Sequence, residues 1–130
     1  MFAADLDSDG DLDVLSASEE NHDAIVWCAN DGSGQFGPQQ VITTEAGGGL
    51  QSVYAADLDG DGDPDVLSAS YNDNKIAWYA NDGTGQFGPQ RVITTEAIGA
   101  SCVHAADLDG DGDLDVLSAG DSKIAWYENE

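Results

Sequence analysis

Apolar positions along this chain fall in short runs separated by polar, glycine-rich stretches. No window keeps a 3.6-residue period over ten residues, so the pattern predicts strands and not amphipathic helices. The clearest runs lie between positions 50 and 100. Ser52–Ala56 is short, apolar and followed by a loop. Asp65–Ser70 (DVLSAS) has strand length, and Lys75–Tyr79 (KIAWY) is rich in aromatic and β-branched residues. Gln90–Thr95 (QRVITT) forms a fourth run. Between them lie Asp/Gly loops, an Asn-Asp-Gly turn at Asn81–Gly83 and a Gly-Pro step at Gly88-Pro89, all of which interrupt regular structure. Alternation within each run is poor, as expected for strands whose sheet is covered on both faces.

The same pattern recurs. AADLDSDGDLDVLSA begins at Ala3, AADLDGDGDPDVLSA at Ala55 and AADLDGDGDLDVLSA at Ala105. NDGSGQFGPQQVITTEA from Asn30 returns as NDGTGQFGPQRVITTEA from Asn81. A third copy of that second string is missing, and the first repeat starts late, with Met1-Phe2 where the second has Val53-Tyr54. A period near 50 residues suits either a four-stranded propeller blade or a large helical repeat, and the strand pattern selects the blade. The expected fold is therefore all-β, built of β-propeller blades of four antiparallel strands. About three blades are expected per chain, in repeats 1–50, 51–100 and 101–130, the third incomplete.

Each repeat carries one dense acidic loop. In the second it reads Asp57-Leu58-Asp59-Gly60-Asp61-Gly62-Asp63-Pro64-Asp65, with carboxylates at positions 1, 3, 5, 7 and 9 and glycine at 6. Ca²⁺ takes six to eight oxygens at about 2.3–2.6 Å, and Asp at 1, 3 and 5 of a curled loop supplies three of them. Gly62 permits the sharp turn, and Asp65 closes the cage where the next strand begins. The counterparts are Asp5, Asp7, Asp9, Asp11 and Asp13, and Asp107, Asp109, Asp111, Asp113 and Asp115. At position 7 the backbone carbonyl is the expected ligand, so the side chains of Asp11, Asp63 and Asp113 are expected to face solvent. An EF-hand is rejected, because position 12 is Ser16, Ser68 or Ser118 instead of glutamate and the flanks read as strands. Mg²⁺ suits the loop less well, since it prefers fewer protein ligands, and Zn²⁺ would want Cys or His. Acidic surface turns are common singly. Three copies in one register, whose carboxylates repel one another without a cation, point to about one Ca²⁺ per repeat.

Charge sharpens this reading. The chain has 26 acidic and 3 basic residues and a formal net charge of −23, with 15 of the carboxylates in those three loops. Phosphate contacts need Lys and Arg, so nucleic acid is excluded as a partner, and docking on anionic membranes is disfavoured. No apolar run is long enough for a membrane span, and no signal peptide follows Met1. Three divalent ions would bring the charge to −17.

These features make the chain resemble the FG-GAP/VCBS repeat family. The resemblance rests on the D-x-D-x-D-G-x-x-D loops, the apolar strand after each (Val66-Leu67), and Phe-Gly at Phe36-Gly37 and Phe87-Gly88. It implies propeller blades like those of integrin alpha subunits, with calcium held between the first and second strands of a blade by Asp5, Asp7, Asp9, Asp13 and their counterparts. The Gly-Ala-Pro of the family name is replaced by Ser-Ala-Ser at Ser16–Ser18 and Ser68–Ser70, and by Ser-Ala-Gly at Ser118–Gly120. That places the chain nearer the bacterial VCBS branch.

Trp27, Trp78 and Trp126 recur at one strand position, as do Phe36 and Phe87. Large rings filling the wedge between blades is the expected role, ahead of a sugar platform. Cys28 and Cys102 occupy non-equivalent positions and read as buried free thiols, not a disulfide. Cys102 and His104 share a strand face but lack a third group for chemistry. His22 lies in a longer loop and is expected to be exposed.

The function expected is a calcium-binding propeller module with a structural, adhesive or interaction role, extracellular and not an enzyme. The alternative is a carbohydrate-binding propeller lectin, so a glycan or protein ligand is the expected partner class. Three blades cannot close a ring, whereas two chains give six blades, within the usual four to eight. A homodimer closing one ring is the expected assembly, and a fragment of a longer chain or an engineered piece would account for the missing signal peptide.

Overall fold

A computed structural model describes residues 1–18 and 23–129. The chain folds into three antiparallel sheets. The first contains β1 (Phe2–Ala4), β2 (Asp13–Ser18), β3 (Ala24–Cys28) and β4 (Gln40–Thr43) in that order. The second contains β5 (Leu50–Ala56), β6 (Asp65–Ser70), β7 (Lys75–Tyr79) and β8 (Arg91–Thr94). The third has β9 (Cys102–Ala106), β10 (Asp115–Ala119) and β11 (Ile124–Tyr127). Each is the up-and-down blade that the repeat pattern predicts, and the third carries three strands.

Register is copied from blade to blade. Leu15 opposes Trp27, Leu67 opposes Trp78 and Leu117 opposes Trp126. The pairing of each third strand with its fourth slips once, between Ile25 and Val26 and again between Ile76 and Ala77. A bulge between Leu50 and Ser52 lets β5 begin at Leu50, two residues before the apolar run that marks it in the sequence.

The core is two copies of one interface. Leu6, Leu15, Ile25, Trp27 and Ala46 of the first blade pack on Leu50, Val53, Ala55, Val66 and Tyr79 of the second. One repeat later, Leu58, Leu67, Ile76 and Ala97 of the second blade pack on Ala100, Val103, Ala105 and Val116 of the third, with Trp78 and Tyr127 at its edge. The middle blade is thus covered on both faces, and the whole of β6 is buried. Truncating Leu15 or Leu67, both fully buried, would cost about 2–5 kcal/mol.

Trp27 fills the wedge between blades as expected and is 2 % exposed. Trp126 does not: it is 49 % exposed, because no blade covers the far face of the third sheet. The thiols depart from expectation too. Cys102 is exposed and Cys28 half-buried, since Cys102 opens β9 at the rim of its sheet opposite Ala119. Both are free. The His104 and Tyr54 rings pack at 4.3 Å, and those of Tyr54 and Phe2 at 4.5 Å, each pair tilted, in a ladder running across the first strands of the three blades. His22 lies outside the described residues.

Candidate metal centre

Each acidic loop joins the first strand of a blade to the second. It is organised by its own aspartates. Asp57 at position 1 accepts the amides of Gly60 (2.8 Å) and Asp61 (3.1 Å) on one oxygen and that of Gly62 (2.9 Å) on the other. Asp61 accepts the Asp63 amide at 2.9 Å. Asp5 likewise accepts the Asp9 and Gly10 amides in the first loop, and Asp107 accepts those of Gly110 and Gly112 in the third. Curling the backbone this tightly requires left-handed residues: Gly62 has φ +97°, with Gly10 and Gly112 alike. Position 4 is left-handed as well, with Gly60 and Gly110 in two loops and Ser8 at φ +63° in the first.

Asp13, Asp65 and Asp115 at position 9 are fully buried at the start of the second strand. Their oxygens are shared between the loop and the rest of the blade. Asp65 accepts the Leu58 amide and the Asn81 amide, both at 2.9 Å. Asp13 does the same with Leu6 and Asn30, and Asp115 with Leu108 and Asn129. Burial pushes the Asp65 carboxyl up to about 6, against the pull of the Asn81 and Leu58 amides and with the help of nearby Asp59 and Asp61.

The carboxylates converge. Oxygens of Asp5, Asp7 and Asp13 lie within 4.8 Å of one another, as do those of Asp57, Asp59 and Asp61 and those of Asp107, Asp109 and Asp115. Asp7 Oδ1 is buried with no hydrogen-bond partner among the described residues. Burial raises the Asp7 carboxyl above its ordinary value, and the charges of Asp13, Asp9 and Asp5 add to the rise. The donors are all hard carboxylate oxygens, so the residues fit a hard divalent cation. Asp9, Asp65 and Asp111 lie in the same loops but outside those triads, as do Asp11, Asp63 and Asp113. Asp63 accepts the Ser8 hydroxyl of the neighbouring loop at 3.3 Å.

Three asparagines that the sequence offers at most as turn formers tie the loops to the blades. Asn81 donates its side-chain amide to Leu6 O (2.9 Å) in the first loop and to Pro64 O (3.0 Å) in its own. Asn129 reaches Leu58 O (2.6 Å) and Leu114 O (3.2 Å) in the same way. Asn30 keeps only the local half, to Leu12 O at 3.1 Å. The signal was present: an asparagine recurs three residues after each Trp. It reads as an ordinary turn former until the next blade is placed beside it.

At the opposite end of the blades, Asp23 accepts the amides of Gly49 and Leu50, and Asn74 accepts that of Gly99. Beside them Asp23, Gly49, Gln51, Tyr71 and Asn72 line an open cleft of about 430 Å³.

Stacked antiparallel blades, each with an aspartate-rich loop between its first two strands, define a β-propeller repeat protein. The FG-GAP-like repeat model matches residues 5–68 and 57–118, and the chain belongs to that family. None of the curated proteins compared with it matches. Among solved structures it is similar to a lectin of Agrocybe aegerita described as recognising non-reducing terminal N-acetylglucosamine. The TM-score is 0.72 at 23 % identity over 99 % of this chain. This chain spans 34 % of that lectin's length, and the likeness is one of fold.

Proposed function

We propose that each acidic loop holds one Ca²⁺ and that the chain is a calcium-stabilised propeller module with a structural or adhesive role, working outside the cell. The observation that carries this is the buried, unpartnered Asp7 Oδ1 inside the Asp5, Asp7 and Asp13 cluster, an oxygen that a cation would satisfy. The ligands would come from Asp5, Asp7, Asp9 and Asp13 and their counterparts, with the position-7 carbonyl completing the set. Bound calcium neutralises mutual repulsion among the carboxylates and fixes the connection between two strands. Open loops of this kind have affinities on the order of micromolar to millimolar, matched to extracellular calcium. Carboxylates arranged around a cation do no chemistry alone, so a binding module is favoured over an enzyme.

Isothermal titration of the EDTA-treated protein tests this. About three Ca²⁺ per chain are expected, with Mg²⁺ binding more weakly. Absence of both binding heat and thermal stabilisation at millimolar Ca²⁺ would overturn it.

A second reading, a carbohydrate-binding module, is favoured by the lectin neighbour and by the cleft at Asp23, Gly49, Gln51, Tyr71 and Asn72, which joins polar groups to one half-exposed ring. A glycan array probed with the calcium-loaded protein decides it: binding lost in Tyr71→Ala supports the reading, and a blank array removes it.

A further inference from the structure

The two outer faces of the three-blade stack are the two halves of the interface that already occurs twice inside it. On the third blade, Leu108, Ile124 and Trp126 stand where Leu6, Ile25 and Trp27 stand on the first. The latter three are buried, whereas Ile124 is 83 % exposed. On the first blade, Val14, Cys28 and Gln39 stand where Val66, Tyr79 and Gln90 stand on the second. Together with Ser16, Val26 and Trp27 they line an open cleft of about 310 Å³.

The details match residue by residue. Gly85, at φ +77°, lies so close under the Trp27 ring that a Cβ there would stand 2.3 Å from it. Its counterpart Gly34, at φ +84°, has nothing within 4 Å of that position, leaving a seat of the same kind open. Gln90 reaches back to the Glu45 and Ala46 carbonyls of the preceding blade, at 3.1 and 3.4 Å, while Gln39 is exposed. Asn81 and Asn129 each donate to the second residue of the preceding acidic loop. Among the described residues Asn30 has no such acceptor before it, and the matching carbonyl of Leu108 receives no asparagine.

We propose that the third-blade face of one chain binds the first-blade face of a second copy, head to tail, and that two copies close one ring. Trp126 then sits over the second copy's Gly34, and the second copy's Asn30 donates to Leu108 O. Each third loop is thereby completed by a residue of the other chain. Two heterologous contacts of this kind close on themselves, whereas a non-closing one would grow a filament. The proposal does not depend on the loops binding calcium.

Native mass spectrometry of the full chain at tens of micromolar, in calcium and again in EDTA, tests it. A species of about 27 kDa, twice the 13.5 kDa chain, is expected. Ile124→Glu and Gly34→Leu, both at exposed positions, are each expected to give monomers with unchanged circular dichroism. Mixing the two variants should restore a 27 kDa species, because one seam then joins two intact faces. A wild-type monomer loaded with calcium would overturn the proposal and leave the metal reading standing. A dimer whose mass in calcium shows no bound ions would do the reverse. A dimer that survives Ile124→Glu, or a ladder of larger multiples, would also overturn it.

Discussion

The Asn81 side chain in the second blade donates to the Leu6 carbonyl in the first blade's acidic loop, at 2.9 Å, and to Pro64 O in its own loop at 3.0 Å. One buried amide therefore joins two candidate metal loops. Asn81→Ala leaves two carbonyls without this donor, and the expected loss is about 1–3 kcal/mol in a urea melt. Asn30→Ala loses the contact to Leu12 O and the acceptor for the Gly32 and Gly34 amides, all within its own blade, and is expected to cost less than Asn81→Ala in the Ile124→Glu monomer.

Gly85 and Gly34 share a left-handed backbone and differ in what lies above them. Gly34→Ala adds conformational strain alone, about 1 kcal/mol. Gly85→Ala adds the same strain and drives a methyl into the Trp27 ring, so a total of about 2–4 kcal/mol is expected. Chemical denaturation of both variants in the Ile124→Glu background measures the difference.

The pH dependence should change sign with calcium. Asp65 sits at about 6 when folded against an ordinary 3.8, so between those values the native state holds more protons than the unfolded chain. In EDTA, stability is therefore expected to rise as pH falls from 7.5 to 5, by on the order of 1–2 kcal/mol. With saturating calcium the protons compete with the ion, and stability is expected to fall over the same range. Denaturation midpoints at the two pH values, with and without calcium, check both signs. Below about pH 4 the EDTA trend should turn, because Asp31 and Asp82, held low by the Ser33 and Thr84 hydroxyls and amides, are then protonated.

Asp7→Asn separates repulsion from ligation. Removing one charge from the Asp5, Asp9 and Asp13 neighbourhood should leave the metal-free protein equally stable or up to about 1 kcal/mol more stable. In calcium the same variant should melt earlier than wild type, with the titrated stoichiometry falling from three ions to two.

Much of this was legible in the chain. The strands Asp65–Ser70 and Lys75–Tyr79 read directly, because β-branched and aromatic residues sit between glycine and asparagine turns. Leu50 and Gln51 did not read as strand, since a bulge after a glycine run breaks the apolar pattern there. The acidic loops were plain from spacing. That each position-9 aspartate shares its oxygens between two backbone amides was not, because one of those amides lies 14 to 17 residues away and reaches it only through strand pairing. Neither the Asn81 bridge nor the exposure of Trp126 and Cys102 could be read locally. Each depends on which blade stands beside it.

The twofold recurrence of one blade interface also bears on how the molecule comes apart. Energies in such a stack are close to a sum over neighbours. The middle repeat has two neighbours within the chain and each outer repeat has one. An isolated chain is therefore graded: its two ends loosen before its centre, and amide protons on β6 should outlast those on β1 and β11. Adding a neighbour at either end erases that gradient and turns a fraying stack into a structure with no first place to open.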